Sequence, residues 1–323
     1  MAQKLPPNPD QFPNIGQWAR SMYTFLSGGN RFEEVNNPLP VLLPHRSQNV
    51  MERAATDGIM LYDPTLKTPV YSVDGRWEAM NTDYNIQLAL GNIPNAYSVE
   101  KFGRNLDIDT GTVPEDVWNG SQLYTGFQVG AEAAAEVVSS SASDTGTVYI
   151  TGLRTPTSTE YETASYTLTG TTPVSVGSWW RANSGYYDSG NDTTFNIGTI
   201  TVRQVATPAN IYIAMPIGQS QTTIACWTVP FGSTAVLRKL DVEVSRASAS
   251  ATIKGALWTR RINESPRYQF QFIRGNAVAS PPFEPKSGVV FPAQTDISVQ
   301  IVETSANNIE VLARFGLAVY KDA

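Results

Sequence analysis

Apolar and polar positions alternate through the second half of the chain. Ile309, Val311, Ala313, Phe315, Leu317 and Val319 share one side of an extended segment, while Glu310, Arg314 and Tyr320 take the other. Leu240, Val242 and Val244 alternate in the same way with Asp241, Glu243 and Ser245. This period predicts strands over 135–139, 148–152, 165–168, 199–204, 211–215, 222–229, 235–245, 252–260, 268–273, 297–302 and 309–320. Many strands without helical crossovers point to an all-β class, with a β-sandwich or jelly roll across 131–323. One large sandwich and two packed ones divided near 216–220 both fit the pattern.

The preceding residues divide into three regions. Residues 1–50 read as an extended arm, because Pro6, Pro7, Pro9 and Pro13 fix φ and disfavour helix before them. One short helix interrupts the arm: Asn14 is the N-cap, Ile15, Trp18, Met22, Phe25 and Leu26 recur at helical spacing, and Gly28-Gly29 ends it. Leu39, Val41 and Leu42 follow in an extended stretch broken by Pro38, Pro40 and Pro44. An apolar helix and strand with no adjacent domain to cover them predict an anchor that docks on another protein. The competing expectation is an arm folded back on its own chain. Residues 51–101 carry turn signals at Asp57-Gly58, Asp63-Pro64 and Asp74-Gly75, and predict a meander of very short strands that serves oligomerisation. Residues 102–130 lack sustained periodicity and read as an irregular connector, packed down by Phe102, Trp118, Tyr124 and Phe127.

Composition narrows the chemistry. The 323 residues include one histidine, His45, and one cysteine, Cys226, so neither a Ser-His-Asp or Cys-His site nor a zinc ligand set is expected. Cys226, inside a strand-like run, is expected to pack as a small apolar side chain. Asp107, Asp109, Glu115 and Asp116 form the densest acidic cluster, but Trp118 stands where a calcium loop would need its bidentate glutamate, and turn capping accounts for the aspartates equally well. A two-carboxylate glycosidase survives residue counting, yet the repeat period of β-helical enzymes of that kind is missing. The expectation is therefore a non-enzymatic protein without a cofactor or metal. A net charge of −6 supplies no basic field for a phosphate backbone, so no direct nucleic-acid contact is expected. No run approaches the roughly 20 apolar residues of a membrane span, and the first residues lack the features of a secretory signal, so no membrane insertion is expected and synthesis is placed in the cytoplasm.

Residues 178–196, SWWRANSGYYDSGNDTTFN, read as an aromatic-rich loop and form the candidate for ligand recognition. Trp179, Trp180, Tyr186 and Tyr187 offer ring faces and hydroxyls suited to sugars or protein pockets. The same four residues would serve equally as core and subunit contacts.

The arm KLPPNPDQFPNIGQWARSMYTFL, the meander DGIMLYDPTLKTPVYSVDGRW and the phrase GRNLDIDTGTVPEDVWNGSQLYTGF ahead of a Thr- and Val-rich β region resemble virion proteins of tailed bacteriophages, variously called fibre, spike, collar or decoration proteins. The resemblance implies a viral structural protein of the virion, made in the host cytoplasm, whose N-terminal segment holds it to capsid, neck or tail. It also implies a homo-oligomer, with a trimer expected, and a β region that decorates, braces or projects. The alternative within the same class is a receptor- or carbohydrate-binding adhesin whose partner is a host-surface glycan.

Overall fold

The computed structural model describes residues 60–63, 68–73, 76–79 and 84–322, apart from 92, 121, 129, 192–193, 246–250, 276–282 and 286–287. The anchor candidates Ile15, Trp18, Met22, Phe25, Leu26, Leu39, Val41 and Leu42, and His45 with them, lie outside the described residues. The chain divides into two compact units, Met1–Gln87 and Leu88–Ala323.

In the first unit, β1 (Met60–Asp63), β2 (Thr68–Val73) and β3 (Arg76–Ala79) make a three-stranded antiparallel meander. Its register pairs Met60 with Tyr71 and Val70 with Ala79. The short runs between the Asp-Pro and Asp-Gly turns are thus strands, as their turn spacing predicts. A helix, α1 (Tyr84–Ala89), follows.

The second unit is all-β, and each of its described strand pairings is antiparallel. The strands in chain order are β4 (Ala96–Ile108), β5 (Glu115–Asp116), β6 (Ala133–Ser139), β7 (Thr147–Leu153), β8 (Glu162–Thr167), β9 (Val174–Trp179), β10 (Arg181–Asp188), β11 (Ile200–Gln204) and β12 (Ile211–Met215). They continue with β13 (Cys226–Thr228), β14 (Ser233–Ser245), β15 (Thr252–Arg261), β16 (Arg267–Gly275), β17 (Val289–Phe291), β18 (Thr295–Thr304) and β19 (Ile309–Lys321). Among the described residues no helix is long and apolar enough to cross a membrane.

These strands build two β-sandwiches. The first packs a sheet ordered β12-β11-β6-β9 against one ordered β10-β7-β8, around Val137, Val148, Ile150, Val176, Ile200, Val202, Tyr212 and Met215. The second packs β17-β14-β19-β4 against β13-β18-β15-β16, with β5 added beside β18. Its core holds Leu237, Leu240, Ile253, Leu257, Val299, Ile301, Phe315 and Leu317. The predicted inward face of β19 is found, with Ile309, Val311, Ala313, Phe315, Leu317 and Val319 all buried, and Gly316 and Ala318 on its other face are buried as well. On β14 the inward set is Ala235, Leu237, Leu240 and Val242, and the three-residue step is absorbed by a register shift between Leu237 and Lys239.

Two sequence expectations are corrected here. The first seven residues of the connector placed at 102–130, and the meander boundary at 101, fall inside β4, which pairs with β19 from Ala96 opposite Tyr320 to Ile108 opposite Ile309. The strand is illegible because its buried positions are Ala96, Gly103, Asn105 and Ile108: Gly103 and Asn105 are not apolar side chains, and Ala96 and Ile108 are out of phase with them. The second correction concerns 178–196, whose first half is strand: β9 ends at Trp179 and β10 runs from Arg181 to Asp188. Residues Arg181, Ala182 and Asn183 are buried in succession, so period-two alternation is lost.

Candidate functional sites

The phrase GRNLDIDTGTVPEDVWNGSQLYTGF forms a buried joint between the two sandwiches. Tyr124 donates its hydroxyl toward the Ala182 carbonyl at 3.0 Å and the Tyr212 carbonyl at 2.9 Å, both in the first sandwich. Asp116 turns to the second, accepting from the Ser298 hydroxyl at 2.6 Å, and also takes the Tyr124 amide at 2.7 Å. Asn105 on β4 donates to Glu115 at 2.8 Å, and Thr112 donates to the same carboxylate. Trp118, Tyr124 and Phe127 are buried and meet edge to face, at centroid distances of 5.1 and 4.8 Å. Cys226 is buried in this aromatic cluster, as its apolar neighbours predict, and burial pushes its thiol pKa well up. Gly103 has a local reason to be glycine: a Cβ there would run into the Val117 carbonyl and the Ala225 amide.

The acidic cluster is consumed by the same joint. Asp109 accepts the Asn308 amide at 2.7 Å, closing the turn before β19. Glu115 and Asp116 are buried and bonded to protein donors as described, and among the described residues no group of three or more His, Cys, Asp or Glu side chains is arranged to hold a metal. Burial raises the Asp116 pKa to about 6, against the opposing hydrogen bonds from Ser298, the Tyr124 amide and Gln300, with the Glu115 charge adding to the rise.

A second link is ionic. Arg181 on β10 forks onto Asp296 on β18, with Nε at 2.9 Å from Oδ1 and Nη2 at 3.0 Å from Oδ2, both side chains only 3% exposed. Arg260 and Thr228 donate to the same carboxylate at 3.0 and 2.7 Å. The Arg181 guanidinium also lies over the Trp180 ring, 4.3 Å from its centroid.

The four aromatic recognition candidates are not brought together at the surface. Trp179 lies in the first core beneath the Arg154 guanidinium, 3.6 Å away, and donates its indole N–H to the Val176 carbonyl. Trp180 is 1% exposed and Tyr187, whose hydroxyl oxygen accepts the Gly146 amide, is 7% exposed. Tyr186 alone faces solvent, stacked on Tyr149 at 4.4 Å. For the two tyrosines a strand, rather than a loop, explains the split: Tyr186 and Tyr187 are successive on β10 and point to opposite faces.

Between the sandwiches opens a cleft of about 660 Å³ that the sequence pattern did not expose. The second sandwich contributes Tyr97, Val99 and Lys101 from β4, Trp227 from β13 and Lys321 from β19; the first contributes Thr151, Glu160, Tyr161, Asn183 and Ser184. Tyr161 stacks on Trp227 at 5.6 Å and 8°. Its hydroxyl donates to the Thr228 carbonyl at 2.9 Å and accepts the Thr228 amide at 3.2 Å. Lys101 Nζ donates to the Asn183 carbonyl at 2.9 Å, and burial lowers its pKa to about 8. Burial, with the Glu160 charge, raises Tyr97 to about 12. Glu160 is paired with Lys321 at 2.5 Å, and Glu100 with Lys239 at 3.6 Å. The one sequence signal for this wall is that Tyr97, Val99 and Lys101 share a face of an extended run.

No family model matches the chain, and no curated protein does. Among solved structures the chain is similar to one from infectious bursal disease virus, Gt strain, at 10% identity, covering 75% of this chain and 83% of that one. The TM-score of 0.14 carries no argument about fold or role.

Proposed function

We propose that the chain is a structural protein of a tailed-bacteriophage virion, without enzymatic activity, held to capsid, neck or tail by residues 1–50 and bracing or projecting with its paired sandwiches. The observation that supports this reading most is the placement of the phrase GRNLDIDTGTVPEDVWNGSQLYTGF. Residues that carry the resemblance are those that lock one sandwich to the other through Asn105, Asp116, Trp118 and Tyr124, so the resemblance bears on architecture rather than on surface wording.

Two further features fit the same role. The meander strands have four, six and four residues, too little to stand alone, which favours association with copies of the chain and a trimer in particular. At one end of the first sandwich, Asn196 donates to the Met215 and Pro216 carbonyls and so gathers Phe195, Ile197 and Ile217, which are 60%, 54% and 65% exposed. Such an apolar end suits contact with another virion protein. The adhesin alternative is weakened, since Trp179, Trp180 and Tyr187 are core residues and Tyr186 stands alone.

Deleting residues 1–46 tests the anchor. The truncated chain is expected to keep its β fold, read by circular dichroism, and to disappear from purified particles. Truncated protein at normal copy number on virions would place the anchor elsewhere.

A further inference from the structure

The cleft between the sandwiches has the construction of a ligand site. Strand β10 pairs Ala182 with Gly152 and Ser184 with Thr151, leaving Asn183 as the extra residue of a bulge. Bulges re-aim side chains and recur beside binding sites. Here the bulge turns Asn183 to the cleft wall, where it is 1% exposed and its Oδ1 accepts no hydrogen bond. Its Nδ2 reaches the Tyr161 hydroxyl at 3.4 Å, and that hydroxyl already gives its proton to Thr228. A buried amide oxygen left unpaired is unfavourable, and Asn183 is one of the residues that line the cleft.

The opposite need comes from Lys101. Its ammonium meets one carbonyl, that of Asn183, while Glu100 and Glu160 are engaged by Lys239 and Lys321. Among the described residues it has no carboxylate within ion-pair distance. Besides Val99, Glu100 and the Glu160–Lys321 pair, the remaining wall is aromatic and hydroxylic: Tyr97, the Tyr161–Trp227 stack, Thr151, Ser98 and Ser184. A volume of about 660 Å³ lies in the range that holds small organic ligands. The occupant must bring an anion for Lys101, a hydroxyl donor for Asn183 Oδ1, and a flat apolar face for the phenol rings.

We propose that this cleft binds a carboxylated saccharide, with Lys101 receiving the carboxylate and Asn183 Oδ1 accepting a ring hydroxyl. Hexuronic acids combine those three features on one ring. The inference stands apart from the virion reading, because none of its residues belongs to 1–50 and its outcome leaves the arm-deletion result unchanged.

The test uses the full chain with trigalacturonate and, as the neutral match, galactotriose. Calorimetry is expected to give a Kd of about 1 mM or tighter for the acidic trimer and binding at least about tenfold weaker for the neutral one. Lys101→Met should erase that preference at an unchanged melting temperature, and Ser184→Trp, which fills the cleft and leaves Lys101 in place, should abolish both. A variant-free readout comes from indole-labelled wild-type protein, in which trigalacturonate should shift the Trp227 resonance and spare Trp118. Equal affinity for the two sugars, the absence of any shift at Trp227, or an intact preference in a folded Lys101→Met protein would each overturn the proposal.

Discussion

Removing the Arg181 side chain should uncouple the two sandwiches. Arg181→Met deletes two hydrogen bonds to Asp296 and one to the Trp180 carbonyl at 2.9 Å, in a place where both charged side chains are 3% exposed. Breaking a buried pair by removing one partner costs roughly 3–5 kcal/mol, because the remaining charge is stranded. Arg260 and Thr228 stay on Asp296, so the expected loss sits at the lower end, about 3 kcal/mol. The double variant Arg181→Met/Asp296→Leu removes both charges, and Arg260, with a 27% exposed side chain, turns to water. The Thr228 hydroxyl and the Trp180 and Phe127 carbonyls lose a partner as well, neutral groups at about 1 kcal/mol each at the low end. The double variant should therefore lose less stability than its two singles summed, with a coupling of at least about 2 kcal/mol in the cycle. Urea unfolding followed by tryptophan emission reads this, since Trp179 and Trp180 report the first sandwich and Trp227 and Trp258 the second. Arg181→Met should also separate the two halves into distinct transitions. A single variant within about 1 kcal/mol of wild type, or a double variant as unstable as the sum of its singles, would refute the argument.

Three smaller tests address other parts of the account. Gly103→Ala should destabilise by about 1–3 kcal/mol through overpacking against Val117 and Ala225, while the exposed Gly111→Ala stays near wild type; equal melting temperatures would show the joint to be slack. Asp116 holds a proton in the folded state up to about pH 6 that the unfolded chain releases near 3.8, so its contribution is complete below 3.8 and is lost as pH rises through 6, a change of about 3 kcal/mol. Asp116→Asn should flatten that dependence, and a wild-type-minus-variant difference constant from pH 3.5 to 7 would contradict it. Trp180→Ala/Tyr187→Ala should lower stability by roughly 3 kcal/mol or more per ring, and an unchanged melting temperature with reduced host adsorption would favour the recognition role instead.

What could be read from the chain follows from how far each element departs from simple alternation. β19 carries Ile309, Val311, Phe315, Leu317 and Val319 on one face, so it announces itself even though Gly316 and Ala318 are buried on the other. β14 carries a bulge, and its two halves are legible separately but not as one phase. β10 was hidden because the second sandwich covers it at Arg181 and Asn183, where buried polar side chains replace the apolar ones a pattern search expects. β4 was hidden for the same reason at Gly103 and Asn105. Composition alone indicated the aromatic stretch 178–196, and it could not distinguish rings that fill a core from rings that face solvent. The cleft was out of reach altogether: Lys101 and Asn183 stand 82 residues apart and meet only because both sandwiches pack on one joint.

The central claim is that residues 1–50 hold the chain to a virion. A cryo-EM map of the intact particle, focused on its vertices, neck and tail, tests it most directly. The account predicts density for the Trp18 helix and the Leu39–Leu42 stretch seated on another virion protein, with the paired sandwiches outside in threefold copies. Particles whose density contains the sandwiches held by some other segment, or none of this chain at all, would contradict it.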